Sequence, residues 1–110
     1  MVETKPILDT VKTAKAYTVL KSLDHYTRFA IIKYLKEEGK KNVTELCEYF
    51  NLEQSVMSNY LRVLRRSKIV RYRRKKGTRF HYYCINETRY LNICRIVKEL
   101  ADYETEGMNY

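Results

Sequence analysis

At 110 residues the chain falls in the size range of one domain and leaves no room for a catalytic domain beside a binding domain. Apolar residues make up 45% of it and charged residues 32%, which excludes a disordered tail and allows a packed core. The formal net charge is +9, from 22 Lys and Arg against 13 Asp and Glu, so a polyanion is the first partner to consider. An anionic membrane is the rival, but the basic residues cluster in one hairpin-like segment and no basic amphipathic helix flanks them. A solvated basic face is the plain alternative to both.

Three cysteines, Cys47, Cys84 and Cys94, are an odd number at wide spacings without a C-x-x-C pair, which fits a reducing compartment and not a disulfide framework. Residues 1–18 hold no apolar run long enough for a signal peptide, and no stretch approaches a membrane span. The expectation is a cytoplasmic protein that does not engage a membrane.

In chain order, Ile7, Leu8, Val11, Ala14, Val19, Leu20 and Leu23 form an imperfect helical stripe after the only proline, Pro6, and predict a first helix. Asp24 is the candidate N-cap of a second helix, in which Tyr26, Phe29, Ala30, Ile31, Tyr34 and Leu35 recur at helical spacing until Gly39, so it reads as largely buried. Thr44 is the candidate N-cap of a short helix through Phe50, with Cys47 on its inner side, and Asn51 and Leu52 make a tight connection. From Gln54 to about Lys68 the apolar Val56, Met57, Tyr60, Leu61 and Leu64 form one stripe. Ser55, Ser58, Asn59, Arg62, Arg65 and Arg66 lie opposite, with no acid among them.

The period then changes. Ile69 to Arg74 and Arg79 to Ile85 are β-branched and aromatic runs divided by Lys75, Lys76, Gly77 and Thr78, which predicts a hairpin with a basic tip. Phe80, Tyr82 and Cys84 share one strand face and read as core. A last helix from about Glu87 to Tyr103 carries two stripes. Tyr90, Cys94, Val97 and Ala101 make one, and Ile93, Ile96 and Leu100 make the other, so one can pack on the core and the other on a second subunit. Residues 1–5 and 105–110 look frayed. No repeat or linker divides the chain, so residues 1–110 read as a single domain.

Two short helices joined by a tight turn, the second exposing small polar groups and arginines and followed at once by a basic hairpin, make the order of a winged helix-turn-helix. The expected fold is mainly α, about five helices plus a two-stranded wing. A helix lying in the major groove must offer base edges donors and acceptors, which Gln54, Ser55, Ser58, Asn59 and Arg62 supply. Asn59 pairs bidentately with adenine and Arg62 with guanine, while Gln54 at the helix start suits base or phosphate. Arg65, Arg66 and Lys68 lie further along, where phosphates are the expected target. In the hairpin, Arg71, Arg73, Arg74, Lys75, Lys76 and Arg79 pack six cations into nine residues around Gly77, suited to the minor groove or the phosphates beside it. Double-stranded DNA is therefore the expected partner. No Gly-rich phosphate loop, nucleophile set or H-E-x-x-H is present, so neither an enzyme nor a cofactor is expected. A module binding RNA or another protein is the alternative.

These residues resemble the ArsR type of bacterial regulator. The run from Leu20 to Leu35 is similar to that family's L-x-x-L-x-D/H-x-x-R-x-x-I-x-x-x-L opening segment. The segment from Val43 to Phe50 is similar to its first helix-turn-helix helix, Gln54 to Val70 to its recognition segment, and Arg73 to Tyr83 to its wing. The resemblance implies a homodimer built from the first and last helices, reading a pseudo-palindromic operator and by default repressing transcription. In many members a metal ion is the inducer. Metal-sensing members carry Cys-x-Cys where this chain has Asn42 and Thr44, or Asp, His and Glu along the last helix, where residues 87–106 hold no histidine. No metal site is therefore expected, and His25 and His81 lie too far apart in sequence to suggest one.

Overall fold

The computed structural model describes residues 10–107. The chain runs through α1 (Thr10–Leu23), α2 (Tyr26–Glu38), α3 (Val43–Phe50), α4 (Gln54–Arg66), β1 (Val70–Arg74), β2 (His81–Ile85) and α5 (Glu87–Gly107). Five helices and one antiparallel hairpin are the elements the residue pattern predicts, in the predicted order. Pro6, Ile7 and Leu8, expected at the head of the first helix, lie outside the described residues, as do residues 1–5. The last helix continues past Tyr103 and through the residues expected to fray, as far as Gly107.

The helix caps differ from expectation in two places. His25, not Asp24, caps α2: its backbone is extended and its Nδ1 accepts from Thr27 N at 3.2 Å. Asp24 instead donates its own N–H to Lys21 O, closing the last turn of α1. The α1–α2 corner is locked by Arg28, whose Nε and Nη2 donate to Ser22 O at 2.7 Å and Lys21 O at 2.9 Å. A cation thereby meets carbonyls at the negative end of a helix, adding a second donor to Lys21 O. In α3 the cap is Asn42, two residues before Thr44. Its Oδ1 accepts from Glu45 N at 2.8 Å while Glu45 Oε1 accepts from Asn42 N at 3.1 Å, a reciprocal capping box.

Asn51 makes the turn between α3 and α4 in the left-handed region (φ 53°), which asparagine tolerates, and Leu52 N donates back to Cys47 O. The exit of α4 is similar but occupied by a lysine. Lys68 has φ 68°, its N–H donates to Arg65 O, and the Ile69 N–H reaches Leu64 O, which together form a Schellman motif with Ile69 buried behind it.

The core is a single cluster. Ile31 and Leu35 of α2, Leu46 of α3, and Met57, Leu61 and Leu64 of α4 are fully buried and meet Ile69 and Val70 at the base of the hairpin. Tyr26 and Phe29, expected inside, are exposed, because α2 turns only its Ile31, Ile32 and Leu35 side inward. The hairpin register pairs Val70 with Ile85, Tyr72 with Tyr83 and Arg74 with His81. With Val70 buried, alternation puts Tyr83 and Ile85 against the core and sends Arg71, Arg73, Tyr82 and Cys84 to the other face. The expectation that Cys84 shares a core face with Phe80 and Tyr82 is therefore reversed by one residue. A further short pairing, unpredicted, joins Lys41 to Tyr83 through N–H···O bonds of 3.0 and 2.8 Å and stitches the α2–α3 connection to the outer edge of β2.

Asn86 ties three elements together. Its N–H donates to Ile69 O, its Nδ2 to Lys68 O at 2.9 Å, and its Oδ1 accepts from Arg89 N in the first turn of α5. Helix α5 then leaves the core. Tyr90 and Ile93, one from each predicted stripe, pack on the cluster, but Cys94, Ile96, Val97 and Leu100 are exposed. The division into a core stripe and an outer stripe thus holds for neither stripe beyond Ile93.

Since a Cβ in the left-handed region costs about 1–2 kcal/mol that glycine avoids, Lys68→Gly is expected to stabilise the fold by about 0.5–1 kcal/mol after glycine's larger unfolded-state entropy is set against it. A thermal melt of the two proteins checks this as a rise in Tm.

Candidate nucleic-acid interface

Burial of Met57, Leu61 and Leu64 leaves α4 only one way to face. At about 100° per residue, Gln54, Ser55, Ser58, Asn59, Arg62, Arg65 and Arg66 fall within an arc of about 140° on the opposite side, with Arg62 near its centre. All seven are exposed. Glu53 stands at the N-cap position just before this face, and its side chain makes no capping hydrogen bond. On the face itself, Arg62 Nη2 donates to Asn59 Oδ1, one helical turn back.

The expected cations are not equivalent. The guanidinium carbon of Arg65 lies 4.3 Å from the centroid of the Tyr72 ring, and the same ring stacks on His81 at 4.6 Å, nearly parallel at 3°, and tilts against Tyr83 at 4.9 Å. Arg65 therefore joins α4 to the hairpin besides offering charge. The His81 ring is engaged on Tyr72. Burial pushes the Tyr83 hydroxyl up, helped by Tyr72 and opposed by Arg65, so it stays protonated beside this stack.

In the hairpin, Arg74 Nε donates to Thr78 O at 2.9 Å and holds the turn closed. Thr78 N bonds Lys75 O at 3.1 Å, and Gly77 supplies the positive φ of 77° that the third residue of such a four-residue turn requires. Arg71 reaches Asn86 Oδ1 at 3.4 Å. Arg73, Lys75, Lys76 and Arg79 are exposed, as is Lys68 at the foot of α4. The structure thus brings α4 and the wing together through Arg65 and Tyr72 and assigns Arg65 and Arg74 structural contacts that spacing did not reveal. Tyr72 is the residue that connects the two basic elements. The available signal was strand alternation, which puts Tyr72 on the same face as Val70.

The remaining reactive side chains have local explanations. His25 is spent on the α2 cap and packs on Tyr60 at 5.1 Å. Burial, with Glu48 nearby, pushes the Cys47 thiol up and lowers its thiolate fraction. Cys94 is exposed. Among the described residues no three of His, Cys, Asp and Glu lie close enough to hold a metal ion. Among them, too, no helix is long and apolar enough to cross a membrane.

A family model for bacterial regulatory proteins of the arsR family matches residues 25–72, from the α2 cap to Tyr72. An uncharacterized HTH-type transcriptional regulator of Methanocaldococcus jannaschii is 33% identical over 89 residues, covering 81% of this chain and 98% of the relative. The chain belongs to the ArsR family. It is accordingly a DNA-binding transcriptional regulator of the winged-helix type, and that class is not an enzyme class. Among solved structures, the reduced form of HlyU from Vibrio cholerae is 27% identical with a TM-score of 0.64, over 82% of this chain and 92% of that one. A homodimeric winged helix-turn-helix DNA-binding domain from Mycobacterium bovis superposes with a TM-score of 0.72 at 20% identity, over 89% of this chain and 88% of that one. At that identity the likeness shows the winged helix-turn-helix fold.

In this ArsR-family regulator the Tyr72 ring touches Arg65, His81 and Tyr83. Tyr72→Leu is expected to cost about 1–2 kcal/mol of stability through lost cation–π and ring contacts, whereas Tyr72→Phe keeps the ring and most of that stability. Urea denaturation of both variants separates the two outcomes.

Proposed function

We propose that the protein is a repressor that binds a pseudo-palindromic operator as a homodimer, with one α4 helix of each subunit in the major groove. The observation that carries this reading is the exposed face of α4, which lacks acids and is held outward by the burial of Met57, Leu61 and Leu64. Gln54, Ser55, Ser58, Asn59 and Arg62 supply the base-facing groups. Arg65, Arg66 and Lys68 follow toward the backbone, and Arg73, Arg74, Lys75, Lys76 and Arg79 carry the wing along the neighbouring phosphates or minor groove.

Dimerisation through α1 and α5 is supported by their unpartnered apolar surface. Val11 and Leu20 on α1 and Leu91, Ile96 and Leu100 on α5 are all more than half exposed. The radius of gyration, 17.1 Å, also exceeds the roughly 13 Å of a compact domain of about 100 residues, because these helices extend past the core. A two-fold dimer places two equivalent α4 helices, which is why a pseudo-palindrome is the matching operator. The whole chain then acts as one DNA-binding unit with dimerisation helices at either end. A metal inducer is not part of the proposal: Asn42, which stands at the first Cys position of metal-sensing members, is committed to capping α3.

The test is binding to a selected operator and to random duplex across a salt series. Arg62→Ala is expected to cost about 1–3 kcal/mol on the operator and relax preference at one position, whereas Lys75→Ala weakens all sequences alike and reduces the salt slope by about one. Equal losses for both variants on both duplexes would refute this division of roles. Salt-sensitive binding without any preferred site would move the reading to an RNA- or protein-binding winged helix.

A further inference from the structure

The base-reading face of α4 contains one direct side-chain link, the hydrogen bond from Arg62 Nη2 to Asn59 Oδ1. Arginine has no acceptor, so the amide of Asn59 can meet it only through Oδ1, and the orientation of that amide follows from chemistry. An asparagine reads adenine by presenting Oδ1 and Nδ2 side by side, one accepting from N6 and the other donating to N7. With Oδ1 turned along the helix toward Arg62, the edge that Asn59 offers outward is its NH2 group. Arg62 keeps four of its five N–H donors, and its long side chain is held at one end by a neighbour on a rigid helix.

The two side chains together therefore present donors and little else. Guanine is the base whose major-groove edge carries two adjacent acceptors, O6 and N7, while adenine and cytosine each put an amino donor there. Position supports the same reading. Arg62 sits near the centre of the exposed arc, whereas Arg65 is drawn aside to the Tyr72 ring and Arg66 lies about 40° further round, toward the edge that Asn59 marks. We infer that Asn59 is a positioning residue for Arg62, and that the pair reads one guanine as a unit instead of each side chain reading its own base. This rests on the reading of α4 as the base-contacting helix, and it replaces the independent Asn59–adenine contact that residue type alone suggests.

The experiment uses the full chain. A preferred duplex is selected from a randomised library, and each of its base pairs is then replaced in turn. Relative affinities are measured for the unmodified protein and for Asn59→Ala, Arg62→Ala, the double variant and Asn59→Asp. Both residues are exposed, and circular dichroism confirms that each variant keeps its helix content. The expected result is that Asn59→Ala and Arg62→Ala flatten the same guanine position, where discrimination of roughly five- to hundredfold falls toward one. The double variant flattens it no further than Arg62→Ala does. Asn59→Asp, which keeps the acceptor, is expected to retain the guanine preference while binding every duplex more weakly. If Asn59→Ala instead abolishes an adenine preference at a different position and leaves the guanine preference intact, the inference is overturned while the base-reading role of α4 stands. If the unmodified protein shows no preferred base anywhere, that role and the inference both fail.

Discussion

Everything the protein offers to a partner depends on how three side chains of α4 are buried. Met57, Leu61 and Leu64 are fully enclosed against Ile31 and Leu35 of α2 and Leu46 of α3. Removing them from water contributes about 1.5–3 kcal/mol each, a sum comparable to the whole net stability of a small domain. The helix therefore cannot rotate about its axis without losing most of what holds the fold together. Its polar face is fixed outward by the same contacts, so the chemistry on that face is presented by packing and not by any interaction of its own. The tight turn at Asn51 and the lysine at the Schellman position bracket the helix at its two ends and set where the face begins and stops.

Much of this was legible because periodicity is a local property. The four-residue steps of the α4 stripe predict both the helix and its inward side, and the change of period after Lys68 predicts the hairpin. What escaped depended on atoms brought together from further away or on competition between neighbouring residues. Thr44 satisfies the usual rule for an N-cap, yet Asn42 and Glu45 form a reciprocal pair that Thr44 cannot match. The N-x-x-E spacing was present in the sequence as its signal. The face of Cys84 was misassigned by one residue because alternation alone carries no phase. The burial of Val70 at the hairpin base supplies the phase, and that burial is a tertiary fact. The pairing of Lys41 with Tyr83 crosses some forty residues and has no local signature.

Charge shows the same distinction more sharply. The surplus of Lys and Arg correctly points to a polyanion, but counting cations overstates how many are available to one. Arg28 holds the C-terminus of α1, Arg74 closes the hairpin turn, and Arg65 stacks on Tyr72. Each contributes to the positive field from a side chain that the fold already holds in place. An arginine stacked on an aromatic ring or bonded to a backbone carbonyl has already lost rotamer freedom. Where such a residue also meets DNA, less ordering remains to oppose binding, and the fold and the interface draw on the same side chain.

The exposed length of α5 follows from the same economy of contacts. Asn86 joins the foot of α4 to the first turn of α5, and Tyr90 and Ile93 are the only members of its two predicted stripes that reach the core. Beyond them the helix continues as an amphipathic rod with apolar groups in water, an arrangement that a small domain with limited burial cannot easily sustain alone. In the proposed dimer that surface is covered, and the cover is connected through Asn86 to the carbonyl of Lys68 at the end of the recognition helix. Spacing between two half-sites would then be set by a short, hydrogen-bonded path from the dimer helix to α4, with no flexible linker along it. A displacement of α5 at the subunit contact would reach the DNA-facing helix within a few residues.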